Sequence, residues 1–169
     1  MDIAQLILAD HERQRQGFAL LDEARATAAD DSLLTSLWAG LRHLLSVHAD
    51  AEEALFYPQL LVVGREAEDE TDDAIGDHNQ IRDGIRRTDV PAVGSTSWWD
   101  AVADTRVANS DHMGEEERGA LADFRRHASL EERQSLGLRF AAFEADHTGT
   151  GGLDLTDEDP DAYIDEHQS

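Results

Sequence analysis

Apolar positions recur every three or four residues along most of the chain, the spacing of one buried face on a helix. Residues 2–28 form the first such stretch, with Ala4, Ile7, His11, Gln14, Phe18, Leu21 and Ala28 on one face. Asp30 or Asp31 then offers an N-cap. Leu34, Trp38, Leu41, Leu45, His48, Glu52 and Leu55 make a second stripe. Pro58 lacks a backbone donor and is expected to kink this helix after Tyr57, with apolar residues resuming over 60–63. Gly64 reads as a helix stop. The acidic run 65–73 suits the start of a third helix, where negative charge complements the macrodipole. Its inner face is Ile75, His78, Ile81 and Ile85. Residues 88–97, with Pro91 and Gly94, are a loop, and Ser97 with Asp100 resembles a capped start. Trp98, Val102, Thr105, Asn109, His112, Glu116 and Ala120 follow on a fourth helix. Ser129 and Glu132 form a capping box that opens a fifth, with Leu136, Phe140 and Phe143. TGTGG and an acidic stretch follow His147, and no segment alternates at the period of a strand. The expected fold is all-α: an up-and-down antiparallel four-helix bundle with an additional C-terminal helix over residues 1–147, then an acidic tail over 148–169.

The polar residues on these apolar stripes carry the chemistry. Four helices each place a histidine inward: His11, His48, His78 and His112. His48 and His112 open the same pattern, H-x-x-x-E-E, which sets Glu52 and Glu116 one turn beyond their histidines on the same face. A buried carboxylate costs several kcal/mol unless it is paired or bound to metal. A core with two glutamates and four histidines therefore calls for a cation. Imidazole and carboxylate without sulfur suit iron, manganese or zinc. Helix lengths add an independent argument. His11 and His48 lie almost equally far from the turn between their helices, and His48 and His78 are nearly level across the next. The match between His78 and His112 is looser. His127 and His147 near helix C-termini, His43 off the stripe and His167 in the tail read as ordinary surface histidines.

Composition narrows the classes. A chain of 169 residues, 40% apolar, suits one domain. It has no cysteine, which excludes thiolate sites, disulfides and cysteine nucleophiles. All 14 basic residues are arginine, so Schiff-base lysines and Walker lysines are excluded. The formal charge of −23 repels nucleic acid and anionic membranes and favours cations as partners. No apolar run is long enough to span a membrane. Asp2 and the lack of a small-residue cleavage site argue against a signal peptide, which makes the expected location cytoplasmic.

The order H…HxxxE…H…HxxxE, with the stretch HADAEEALFYP from His48 to Pro58, resembles the hemerythrin-like superfamily, the HHE cation-binding domains. The resemblance spans about residues 5 to 147. It implies a non-haem di-iron site with two iron ions, oxo- or hydroxo-bridged. His11, His48, His78 and His112 would be terminal ligands, with Glu52 and Glu116 as bridges. Ferritin-like di-iron proteins differ in using Glu-x-x-His. Oxygen-carrying hemerythrins have a further histidine one turn along the third helix, where this chain has Arg82. A guanidinium cannot ligate, which leaves coordination positions for small oxidants. Tyr57 is the candidate catalytic residue to fill or flank such a position. Gln14, Glu53, Glu115 and Glu117 are candidates to orient the imidazoles. The expected function is a catalase- or peroxidase-like reaction with hydrogen peroxide, with oxygen and nitric oxide as further small partners. The rivals are a non-enzymatic oxygen- or iron-binding or sensing module and a structural zinc bundle, which iron's colour distinguishes.

Overall fold

The computed structural model describes residues 1–148 and 154–168. Among them the chain is all helical. Helices α1 (Ile3–Ala26) and α2 (Asp31–Ala51) lead into a π-helical turn at Glu52–Phe56 and a short α3 (Tyr57–Val63). Then come α4 (Ala67–Arg87), α5 (Thr96–Arg118), α6 (Ala120–His127), α7 (Leu130–Asp146) and α8 (Pro160–His167). The helices form a bundle in which α1 packs on α2, α4 on α5, and α7 across α1 and α2. At Gly84 of α4 a Cβ would strike Thr105 of α5, so glycine sets how closely these two helices approach. No helix among the described residues is long and apolar enough to cross a membrane.

Local chemistry sets the boundaries. Asp2, Asp30 and Ser95 accept hydrogen bonds from the first-turn amides of α1, α2 and α5. Ser129 and Glu132 make the reciprocal capping box of α7. Four expectations need correction. The cap of α5 is Ser95 rather than Ser97, because the chain is already helical at Thr96. The irregularity in the second helix begins before Pro58. The Tyr57 N–H donates to the Glu52 carbonyl five residues back, and Pro58 then sits in the first turn of α3, where its missing donor costs nothing. The fourth helix stops at Gly119, and α6 follows it. Finally, the acidic tail contains α8, capped by Asp159 and packed on α4. The TGTGG segment lies mostly outside the described residues.

Two apolar clusters fill the bundle. One gathers Ile3, Ile7, Leu55, Phe56, Tyr57, Ile75, Leu121, Phe124 and Phe140. The other gathers Phe18, Leu21, Leu34, Trp38, Leu45, Ile81, Ile85 and Trp98. On α1 and α4 the first cluster precedes the helix's inward histidine and the second follows it. Along α2 and its continuation, and along α5 and its continuation, the order is reversed. The four histidines therefore lie between the clusters.

Candidate metal centre

In this layer His11, His48, Glu52, His78, His112 and Glu116 are all at most 3% exposed. Helix periodicity delivers them. His48 and Glu52 are one turn apart on one face, as are His112 and Glu116, while α1 and α4 each bring one imidazole from the opposite sides. The donor atoms converge. His11, His48 and Glu52 offer ligand atoms within 4.8 Å of one another, and so do Glu52, His78 and His112. Glu52 belongs to both groups. His48 Nε2 stands 3.0 Å from Glu52 Oε1, and His78 Nε2 stands 3.3 Å from Glu52 Oε2. Glu116 sits beside the first group, its Oε2 3.2 Å from His11 Nε2.

These short approaches are poorly satisfied as hydrogen bonds. Both oxygens of Glu52, Oε2 of Glu116 and Nε2 of His11 and His48 have no hydrogen-bond partner among the described residues. His78 Nε2 and His112 Nε2 face each other at 3.2 Å. Orphaned buried acceptors are costly, and a cation placed among inward nitrogens and carboxylate oxygens satisfies all of them at once. Hence the residues present fit a metal ion.

The outer nitrogens explain why the inner ones are free. Each of the four Nδ1 atoms faces a carboxylate from a neighbouring helix. Glu53, in the π-helical turn after α2, takes His78 at 2.7 Å, and Glu117 of α5 takes His11 at 2.9 Å. Asp10 of α1 faces His48 at 3.5 Å, and Asp77 of α4 faces His112 at 3.8 Å. The carboxylates thus run in a closed ring through the four long helices. At His78 and His11 the carboxylate is within hydrogen-bonding distance of Nδ1, which fixes the proton there and turns the Nε2 lone pair inward; at His48 and His112 the carboxylates stand farther off and act through charge. Glu53 and Glu117 take the orienting role the motif suggests. Gln14 is fully buried with both amide atoms unpartnered, and the exposed Glu115 bonds to none of the histidines. Sequence reasoning missed Asp10 and Asp77. A signal was present, since each directly precedes an inward histidine in an Asp-His pair.

Two further side chains complete the surroundings. Arg82 is buried and donates to both oxygens of Glu53 (3.0 and 2.7 Å), one of them the oxygen that meets His78 Nδ1, and to Asp50 (3.0 Å). It holds the carboxylate that holds His78. The Tyr57 hydroxyl donates to Glu116 Oε1 at 2.8 Å. Burial, with the charges of Glu116 and Glu52, pushes the phenol well above its ordinary pKa, so it keeps its proton. Burial also opposes charge on His48 and His112. The Glu52 and Asp10 carboxylates outweigh it and hold His48 up at about 10, and Asp77 and Glu52 hold His112 up at about 9. Burial likewise works against a charged Glu52, but His48, His112 and His78 keep its carboxyl well below the usual range. Without a metal, protons supply part of the positive charge that this layer demands.

His127, His147 and His167 each bond through Nδ1 to the carbonyl one turn back, as surface histidines at helix ends do. The arrangement is that of an all-helical protein with a buried histidine–carboxylate cluster that could hold a metal ion. The hemerythrin HHE cation binding domain family matches residues 2–138, and the chain belongs to this family. No curated protein and no solved structure matches it.

Proposed function

We propose that the chain is a non-haem di-iron protein that disproportionates hydrogen peroxide, in a catalase-like reaction. His11 and His48 hold one iron, His78 and His112 hold the other, and Glu52 and Glu116 are shared between them. The observation that carries this reading is Glu52, whose carboxylate is common to both ligand groups. The reversed order of the two apolar clusters on successive long helices supports an up-and-down antiparallel four-helix bundle over residues 1–147. Residues 148–169 then form an appended acidic tail, and the protein works in the cytoplasm.

When bound, an iron pair supplies one-electron steps between ferrous and ferric states, so that peroxide is alternately reduced and oxidised. Two peroxide molecules become two waters and one dioxygen, with no other reductant. The chain's own contribution is positional. Glu117 and Glu53 fix the imidazoles of His11 and His78 in one tautomer and one orientation. Tyr57 keeps its proton on Oη and donates it to Glu116 Oε1, which fixes that carboxylate. The apolar clusters on either side exclude bulk water. With Arg82 turned to Glu53, no side chain stands in for a further imidazole at that place. Peroxide, oxygen and nitric oxide are all small enough for the remaining positions.

Metal analysis after anaerobic iron loading, followed by oxygen release from peroxide, tests the reading. Two irons per chain and peroxide turnover are expected. The Glu52→Ala variant is expected to lose iron from both positions. A wild-type chain that binds one iron or none overturns the di-iron assignment. Two irons without turnover replaces the enzyme by an oxygen- or iron-binding module.

A further inference from the structure

Elsewhere on the surface, exposed carboxylates pair with arginines: Asp22 with Arg106, Asp89 with Arg42, Asp104 with Arg87. Between α4 and α5 the pattern changes. An open groove of about 640 Å³ is lined by Glu66, Asp69, Glu70, Asp73 and Glu115, and Arg118 is its one basic side chain among the described residues. None of these acids makes an ion pair among the described residues. A smaller cavity of about 20 Å³ shares Glu70, Asp73 and Glu115 with the groove and continues inward to Asp77, His112, Glu116 and Tyr57.

Burial increases along the same line. Asp73 and Glu115 are exposed, Glu70 and Asp77 are half-buried, and His112 and Glu116 are buried. At the inner end, Glu116 Oε2 stands 3.2 Å from His11 Nε2 and has no hydrogen-bond partner among the described residues. At Gly119 a Cβ would meet the Glu70 carboxylate, so glycine leaves that carboxylate its place in the passage. Burial and the neighbouring Glu66 and Asp73 charges raise the Glu70 carboxyl above its ordinary value, the mark of a negative field that a cation relieves.

We infer that this passage between α4 and α5 is the uptake route of the divalent cation that loads the metal centre. The inference rests on the di-metal reading above. An acidic groove raises the local concentration of cations and speeds their arrival, and it repels anions. The inner cavity holds about one water, so a hydrated ion must exchange its waters for carboxylate oxygens. Asp73 and Glu115 start that exchange, and Asp77 and Glu116 end it at the imidazole of His112.

Stopped-flow uptake of Co²⁺ by metal-free protein tests the route, with visible absorption reporting ligand exchange. The Asp73→Asn/Glu115→Gln double variant keeps every proposed ligand. Its second-order loading rate is expected to fall about fivefold or more, and to depend less on salt than wild type, with final Co²⁺ content unchanged. A control that removes two exposed carboxylates outside the groove, Glu131→Gln/Asp165→Asn, is expected to load like wild type. Equal rates in all three proteins overturn the route and leave the metal centre standing. Reduced final content in the double variant also overturns it, since these acids would then hold the ion. A wild-type chain that takes up no Co²⁺ overturns both readings.

Discussion

Around Trp38 and Trp98 the helices meet through rings and aliphatic side chains. Trp38 lies edge-on to Trp98 at 6.1 Å, and Trp98 to Trp99 at 4.7 Å. The Trp38 indole Nε1 donates to Thr88 Oγ1 at 2.8 Å. Next along the same helices, around Glu52, imidazoles and carboxylates replace rings and methyls at equal burial, and several of their atoms have no partner. The helices are continuous through both layers, so helix propensity cannot separate them. The apolar layer is satisfied by the protein alone, while the polar layer holds several atoms with no partner among the described residues. On the proposed reading, one layer supplies stability whatever the solution contains, and the other makes stability conditional on metal.

Metal removal tests this contrast most strongly. At free metal a thousandfold above Kd, each site contributes about 4 kcal/mol, so chelation is expected to lower the melting temperature sharply. Protons then take the metal's place. His48 and His112 have raised pKa values in the metal-free protein, so their stabilisation is fully present below about pH 6.5. It is lost as pH rises through about 9 to 10. Loading at pH 7 is therefore expected to release about two protons per chain, measured with an indicator dye in weak buffer. Loading above pH 10 should release almost none.

Trp98→Ala empties part of the apolar layer and is expected to cost about 3–5 kcal/mol. Denaturant melts should show the same loss with and without metal, and metal content should not change. Arg82→Gln breaks a buried ion pair next to the polar layer, with an expected cost of about 3 kcal/mol. Unlike Trp98→Ala, it should also weaken metal binding, because Glu53 loses the group that aims it at His78. Asp30→Ala removes the N-cap of α2 at the far end from the site. It is expected to cost about 1 kcal/mol and to leave metal affinity unchanged by titration.

Much of this was legible in the sequence, because helix periodicity is short-range. The inward faces of the four long helices follow from three- and four-residue spacing, and the two H-x-x-x-E-E motifs name Glu52 and Glu116 from one helix each. What failed was information that lies between helices. Asp10 and Asp77 sit beside inward histidines in the chain but face the imidazole of the next helix, so no single-helix pattern assigns them. Arg82 marked the absent fifth histidine, yet its reach across to Glu53 and Asp50 depends on packing. The break at Gly119 becomes intelligible once Glu70 is seen to occupy the space a side chain would fill. For α8 the signal was local and available. Asp159 and Pro160 are a cap followed by a first-turn proline, and Tyr163 is buried against the π-helical turn, its hydroxyl donating to the Glu53 carbonyl.

The π-helical turn acts as a phase shifter. An α-helix advances about 100° per residue, and one extra residue between Glu52 and Tyr57 resets the rotation of everything after it. Before the turn the phase serves His48 and Glu52. After it, the phase points Tyr57 at Glu116 and sends Leu60 into the core. Deleting Ala54 would make Tyr57 the fourth residue after Glu52, which an ordinary α-turn bonds to the same carbonyl, so winding would become regular with Tyr57 still directed at Glu116. This turn is thus the one place along the helix where a residue can be gained or lost with both faces kept in register, whereas a deletion within α2 or α3 would rotate everything after it by about 100°.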